Sequence, residues 1–143
     1  MIPLLRAAAA AGLLLASFMI FEYSPPFFAE NPGTGATEYL GEQFRIFLFH
    51  VPAAWVSFVC YLTAAGGSVT YLANRRPGAD RLARAAAEVG LLLGTVNIIT
   101  GPIWAKPTWG VWWTWEPRLT ATLVLWLIWL GYVVLRAQIP EPG

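Results

Sequence analysis

The sequence predicts an all-α, polytopic membrane protein: four transmembrane helices and an external, interfacial segment rich in tryptophan. Three observations predict it. The 143 residues are 57% hydrophobic and only 12% charged, against about a quarter charged in soluble domains. Four apolar stretches are long enough to cross a bilayer. Eight tryptophans are present, four of them between Trp109 and Trp115 in "PTWGVWWTWEPRLT". Burying an indole fully leaves its N–H in need of a partner, so this cluster is not ordinary core filling.

The spans fall at about residues 4–21, 46–72, 82–100 and 119–135, each close to the roughly 17–25 residues a spanning helix needs. All belong to one integral membrane domain, 1–143, with a tryptophan-rich external loop at 101–118. "EYSPPFFAENPGTGATEYLGEQ", rich in Pro, Gly and Glu, reads as an exposed loop between the first two spans. "NRRPGADRLAR" links the next two and is short and basic. No small-residue cleavage site follows the first apolar run, so it is expected to remain as an uncleaved helix.

Charge orients the set. Arg6, Arg75, Arg76, Arg81, Arg84 and Arg136 fall on one side, which the positive-inside rule makes cytoplasmic. Arg45, Lys106 and Arg118 fall on the other, with Glu22, Glu30, Glu38, Glu42 and Glu116. Both termini are then cytoplasmic and the tryptophan segment external. Net charge is +1 and no basic face is visible, so nucleic acid is excluded as a partner. Cys60 is the single cysteine, which excludes a disulfide framework or a thiolate metal cluster.

Some helix contacts are legible. Gly90 and Gly94 form a GxxxG pair, either a close helix approach or a chance pair in a glycine-rich chain. Arg84 and Glu88, four apart, are expected to pair near the inner end. Asn97 is placed to donate an interhelical hydrogen bond.

"FLFHVPAAW" contains the one histidine, His50. About 20 residues counted back from Ala73 reach Ala54, which puts His50 at the outer headgroup level. Pro52 lacks an N–H and its ring clashes with the carbonyl four residues earlier. Either the helix starts near Val51, or it kinks around His50. Both place the imidazole at irregular backbone, against protein or water. A lone histidine is ordinarily an interfacial anchor, and zinc would need three or four ligands. Haem is a cofactor that takes a single axial imidazole from a chain, with the macrocycle resting on aromatic side chains.

Were 109–116 helical, Trp109, Trp112, Trp113 and Glu116 would share one face, at i, i+3, i+4 and i+7. Pro117 would break that turn. The arrangement would be an aromatic shelf along the membrane surface, with a charged end at Glu116 and Arg118. An aromatic belt explains isolated Trp104 or Trp126, but belt residues sit at helix ends and not four together on a loop.

"WGVWWTWEPRLT" resembles the tryptophan-rich signature of the haem-handling membrane proteins of cytochrome c biogenesis. "RLT", with "HVPAAW" upstream, is similar to one branch of them, the haem exporter protein C (CcmC) type, over nearly the whole chain. On that resemblance Trp109, Gly110, Trp112, Trp113, Trp115, Glu116, Arg118 and Leu119 occupy the signature. His50 matches an external axial histidine and is the implied ligand to haem iron. Glu116 stands where the family usually has Asp, which keeps the charge and moves it by one methylene. The family also has two further spans with a second external histidine between them. This chain ends at "RAQIPEPG", and is expected to be a truncated product or half of a split protein.

The implied function is haem handling or export at the outer face of the bacterial cytoplasmic (inner) membrane, for c-type cytochrome maturation. Haem b, transiently bound, would lie on Trp109, Trp112, Trp113 and Trp115, with His50 as one axial ligand. Its propionates would find Arg118, Lys106 or Arg45, while Glu116 orients Arg118 or an indole N–H. The implied partners are haem, the ATP-driven transporter subunits, a periplasmic haem chaperone and the lipid bilayer. The chain shows no nucleophile–base pair, so it is not expected to be an enzyme. The alternative is a haem-free structural subunit whose tryptophan loop docks a periplasmic partner, since tryptophan is a favoured interface anchor.

Overall fold

A run rich in alanine and leucine, with no proline or charge between Arg6 and Glu22, makes up most of the first helix, α1 (Ile2–Tyr23). The computed structural model describes residues 2–24, 28–30, 33–39 and 41–139. They fall into two compact units divided between Phe49 and His50.

In the first unit, Tyr23 packs edge-on against Phe18 at 6.0 Å, and Phe21 stacks on Phe49 at 5.6 Å. The segment expected as a plain loop contains a small antiparallel hairpin, β1 (Phe28–Glu30) with β2 (Thr37–Tyr39). Phe28 pairs with Tyr39, Ala29 with Glu38 and Glu30 with Thr37. Aromatic and β-branched residues suit a strand, and the intervening Gly33–Thr34 turn with Gly35 at φ 67° reverses the chain. A 3-10 turn, Glu42–Ile46, then leads into α2 (Phe47–Asn74). Residues 25–27, 31–32 and 40 of the expected loop lie outside the described residues, as does the end of "RAQIPEPG" from 140.

The second unit holds α2 from His50 onward, α3 (Pro77–Trp109) and α4 (Pro117–Ala137). Only Arg75 and Arg76 separate α2 from α3. Arg75 takes the left-handed φ of 53°, its N–H donates to Tyr71 O at 2.7 Å, and its guanidinium lies over the Tyr71 ring. Pro77 then opens α3, where a missing N–H costs nothing.

Small residues make the seam between α2 and α3. Ala53, Ser57, Tyr61, Ala64 and Gly67 are buried on α2, and Ala83, Ala87, Gly90, Gly94 and Ala105 on α3. Each set follows helical spacing, so each forms one stripe. A Cβ on Gly67 would lie 3.0 Å from Ala79 O, which shows how closely the backbones approach there. At Gly90 and Gly94 the space is taken by the Tyr61 ring: a Cβ on Gly90 would lie 2.8 Å from it. The GxxxG pair is therefore a contact, and what it admits is a tyrosine. The predicted Arg84–Glu88 pair forms at 3.1 Å.

α4 runs antiparallel to α3. Trp126 Nε1 donates to Thr95 Oγ1 at 2.9 Å, and Arg136 pairs with Asp80 in a largely buried bridge. Arg75, Arg76, Arg81, Arg84 and Arg136 consequently collect at one end of the trio, and the tryptophan segment at the other. Three helices are long and apolar enough to cross a membrane, Phe44–Asn74, Pro77–Trp109 and Pro117–Ala137. A shorter apolar stretch covers Ala11–Tyr23. Leu62, Val69, Leu92, Ile128 and Leu135 are more than half exposed, as expected where lipid is the solvent.

Candidate functional site

His50 lies in the first turn of α2, three residues after Phe47. Of the two expected arrangements around Pro52, a helix starting near Val51 is not the one found. The preceding 3-10 turn lets the helix begin five residues before the proline, so Pro52 lies inside it. Pro52 can offer no N–H to the Leu48 carbonyl. From α3, Asn97 Nδ2 donates to His50 O at 3.2 Å, the interhelical bond its position suggested. Thr100 Oγ1 lies 2.9 Å from His50 Nδ1. Gly101 faces the ring, where a built Cβ would sit 3.4 Å from His50 Cε1. The half-buried imidazole thus rests its edge on one turn of α3.

The sequence expectation for the tryptophan segment is corrected here. α3 does not stop near Thr100 but continues to Trp109 through Pro102 and Pro107. At about 1.5 Å per residue, its end stands roughly 12 Å beyond the level of Gly101. The loop expected over 101–118 is thereby reduced to 110–116.

The helix that would set Trp109, Trp112, Trp113 and Glu116 on one face does not extend over 109–116. Gly110 takes φ 77° as a left-handed cap, its N–H donating to Lys106 O, and this ends the helix. Lys106 Nζ donates to Gly110 O at 2.8 Å and holds the reversal. Residues 110–116 are then irregular until Glu116, extended at φ −66° and ψ 154°, precedes Pro117 at the start of α4. The heptad-like spacing is broken because one glycine adopts a conformation a helix cannot use.

The indoles form two edge-to-face pairs, Trp104 with Trp109 at 5.2 Å and Trp113 with Trp115 at 5.9 Å. Trp112 is 58% exposed and Trp115 75%, so broad aromatic surface remains open. Trp113 Nε1 is buried with no hydrogen-bond partner among the described residues. Arg118 donates through Nε and Nη2 to Glu116 Oε1, at 3.0 and 2.7 Å. Glu116 is therefore engaged with Arg118, across Pro117. Lys106 is drawn into the helix cap.

The structure thus brings Asn97, Thr100 and Gly101 to His50, and gathers Trp109, Gly110, Trp112, Trp113, Trp115, Glu116 and Arg118 at the same end of the helical trio. Thr100 was not singled out in the sequence: a threonine within an apolar run carries no signal until its helical partner is known. Among the described residues no three His, Cys, Asp or Glu side chains converge on a metal-ion site.

A family model described as Heme exporter protein C matches residues 1–143. The chain belongs to the Heme exporter protein C family. It is 39% identical over 102 residues to the Heme exporter protein C of Paracoccus denitrificans, covering 71% of this chain and 42% of that one. It is 36% identical over 95 residues to that of Escherichia coli K12, covering 66% and 39%. A putative cytochrome c biosynthesis ccmC-like mitochondrial protein of Marchantia polymorpha is 42% identical over 98 residues, covering 68% and 42%. The matches span about two fifths of the length of these curated relatives. Membership of the Heme exporter protein C family, with the apolar helices, makes this a multi-pass membrane protein.

Proposed function

We propose that the chain handles haem at the outer face of a bacterial cytoplasmic membrane, as part of c-type cytochrome maturation. Haem, of b type and transiently held, is the cargo. It rests on Trp109, Trp112, Trp113 and Trp115, with His50 as one axial ligand. α1 is a fourth span, both termini are cytoplasmic and the tryptophan segment is external. An ATP-driven transporter and a periplasmic haem chaperone are the partners, and no catalysed reaction is assigned to the chain.

The observation that carries this reading is the irregular segment 110–116, with Trp112 and Trp115 largely exposed. A flat, apolar macrocycle needs flat, apolar faces, and two open indoles supply them without enclosing it. Arg118, its side chain 72% exposed and steadied by Glu116, is suited to an anionic propionate. His50 supplies the nitrogen donor, and its ring is held at Nδ1 by Thr100. An open surface of this kind suits cargo that must be passed on.

The test is colour. The detergent-purified chain, incubated with haem and freed of excess, should retain a Soret band that Trp112→Ala with Trp115→Ala greatly reduces. A chain that stays colourless would instead fit a segment that docks a periplasmic protein.

A further inference from the structure

We propose that Thr100 is a positioning residue that sets the tautomer of His50, holding the proton on Nδ1 and leaving Nε2 as the nitrogen offered to a ligand. The number of hydrogens available decides the tautomer. Thr100 Oγ1 lies 2.7 Å from Val96 O and 2.9 Å from His50 Nδ1. Two contacts at these distances need two hydrogens, and a hydroxyl has one. If that hydrogen went to Nδ1, the hydroxyl and the Val96 carbonyl would face each other at 2.7 Å through lone pairs alone. With it donated to Val96 O, the bond a helical threonine ordinarily makes four residues back, the hydroxyl oxygen accepts from the imidazole. Nδ1 then carries the N–H, and Nε2 keeps its lone pair.

Two further neighbours on α3 flank His50. Asn97 Nδ2 donates to the His50 carbonyl at 3.2 Å, which fixes the backbone under the side chain. Gly101 faces Cε1, since a Cβ built there would sit 3.4 Å from it. A partner that holds one ring nitrogen decides which nitrogen is free to bind metal, and its loss ordinarily weakens binding about 10–100-fold. The ligand here is the haem iron of the proposed function, so that consequence rests on the proposed function, whereas the tautomer itself does not.

The experiment separates the two. His50 is the single histidine, so its ring nitrogens need no assignment. In the detergent-solubilised 143-residue chain, labelled with nitrogen-15 and free of haem, long-range proton–nitrogen correlation at a pH where the ring is neutral reads the tautomer. The Nδ1–H form is expected in the wild type and in Thr100→Ser. Thr100→Val keeps the branched shape without the hydroxyl and should lose that preference. An Nε2–H ring in the wild type, or an unchanged ring in Thr100→Val, overturns the proposal. Haem titration then reads the consequence, with affinity at least about tenfold weaker in Thr100→Val and restored in Thr100→Ser. Equal haem affinity despite a changed tautomer overturns the positioning role. A wild type that shows the Nδ1–H ring but takes up no haem refutes the haem reading and leaves the tautomer assignment standing.

Discussion

Tyr61 of α2 lies face to face with Trp129 of α4, ring centroids 4.8 Å apart and planes 5° from parallel. The same tyrosine fills the room that Gly90 and Gly94 leave on α3. One ring therefore touches all three helices of the second unit. Its hydroxyl is buried without a hydrogen-bond partner among the described residues.

This predicts a non-additive pair. Gly94→Ala drives a methyl into the Tyr61 hydroxyl and should destabilise the protein by about 1–3 kcal/mol, as overpacking does. Tyr61→Phe removes the obstructing oxygen and an unsatisfied group together, and should be near neutral or stabilising. The double variant should recover most of the Gly94→Ala loss. Thermal denaturation of the four proteins in one detergent measures the coupling. Strict additivity would show that the hydroxyl does not meet Gly94.

A second prediction concerns the reversal that frees the tryptophan segment. Gly110 has φ 77° and caps α3, with Lys106 on its carbonyl. Gly110→Ala should cost about 1–2 kcal/mol through left-handed backbone strain. Gly110→Asn should be milder, because asparagine tolerates that region better than alanine. Thermal denaturation of both variants ranks them, and alanine at least as stable as asparagine would contradict the cap.

A third separates the site from the scaffold. Trp112→Ala and Trp115→Ala should lower haem retention with little loss of thermal stability, since both side chains are largely exposed. Trp126→Ala should destabilise the fold, because Trp126 donates to Thr95 and lies against Gly94. The proper control is Trp55→Ala, 70% exposed on α2, which should change neither property. Gel filtration, thermal denaturation and the Soret absorbance of the same samples distinguish these outcomes.

Much of this was legible in the sequence, and the gaps have physical causes. Length and hydropathy reveal helices that cross a membrane, and arginine placement reveals which ends gather together. Arg84–Glu88 was readable because both residues lie on one helix at a fixed spacing. Asp80–Arg136 and His50–Thr100 were not, because each joins helices whose register depends on packing. The conformation of the tryptophan segment failed for a different reason. Its spacing fits a helix, but Gly110 favours a cap as readily as a helical turn, and periodicity does not register that choice. The small-residue stripes were visible only as one GxxxG pair because alanine is common in every apolar helix.

Topology can be tested with single cysteines in a chain whose Cys60 has been replaced. Thr34, Thr108 and Gly78 are exposed positions. Cysteines at Thr34 and Thr108 should react with an impermeant thiol reagent in intact cells, and one at Gly78 should not, as the positive-inside rule orients the chain. Labelling of Gly78→Cys alone would invert the arrangement and move the tryptophan segment to the cytoplasmic side.

The proposed function has His50 bind the iron of a haem carried on the tryptophan segment, and one spectroscopic comparison decides whether it does. The 143-residue chain has one histidine, so a haem bound to a monomer has a single protein imidazole and one axial position for water or an added ligand. Absorption spectra of the haem-loaded wild type and His50→Ala should differ in the Soret region, with faster haem loss from the variant. Added imidazole should move the wild-type spectrum towards a bis-imidazole form. Identical spectra and identical retention in the two proteins would contradict the account.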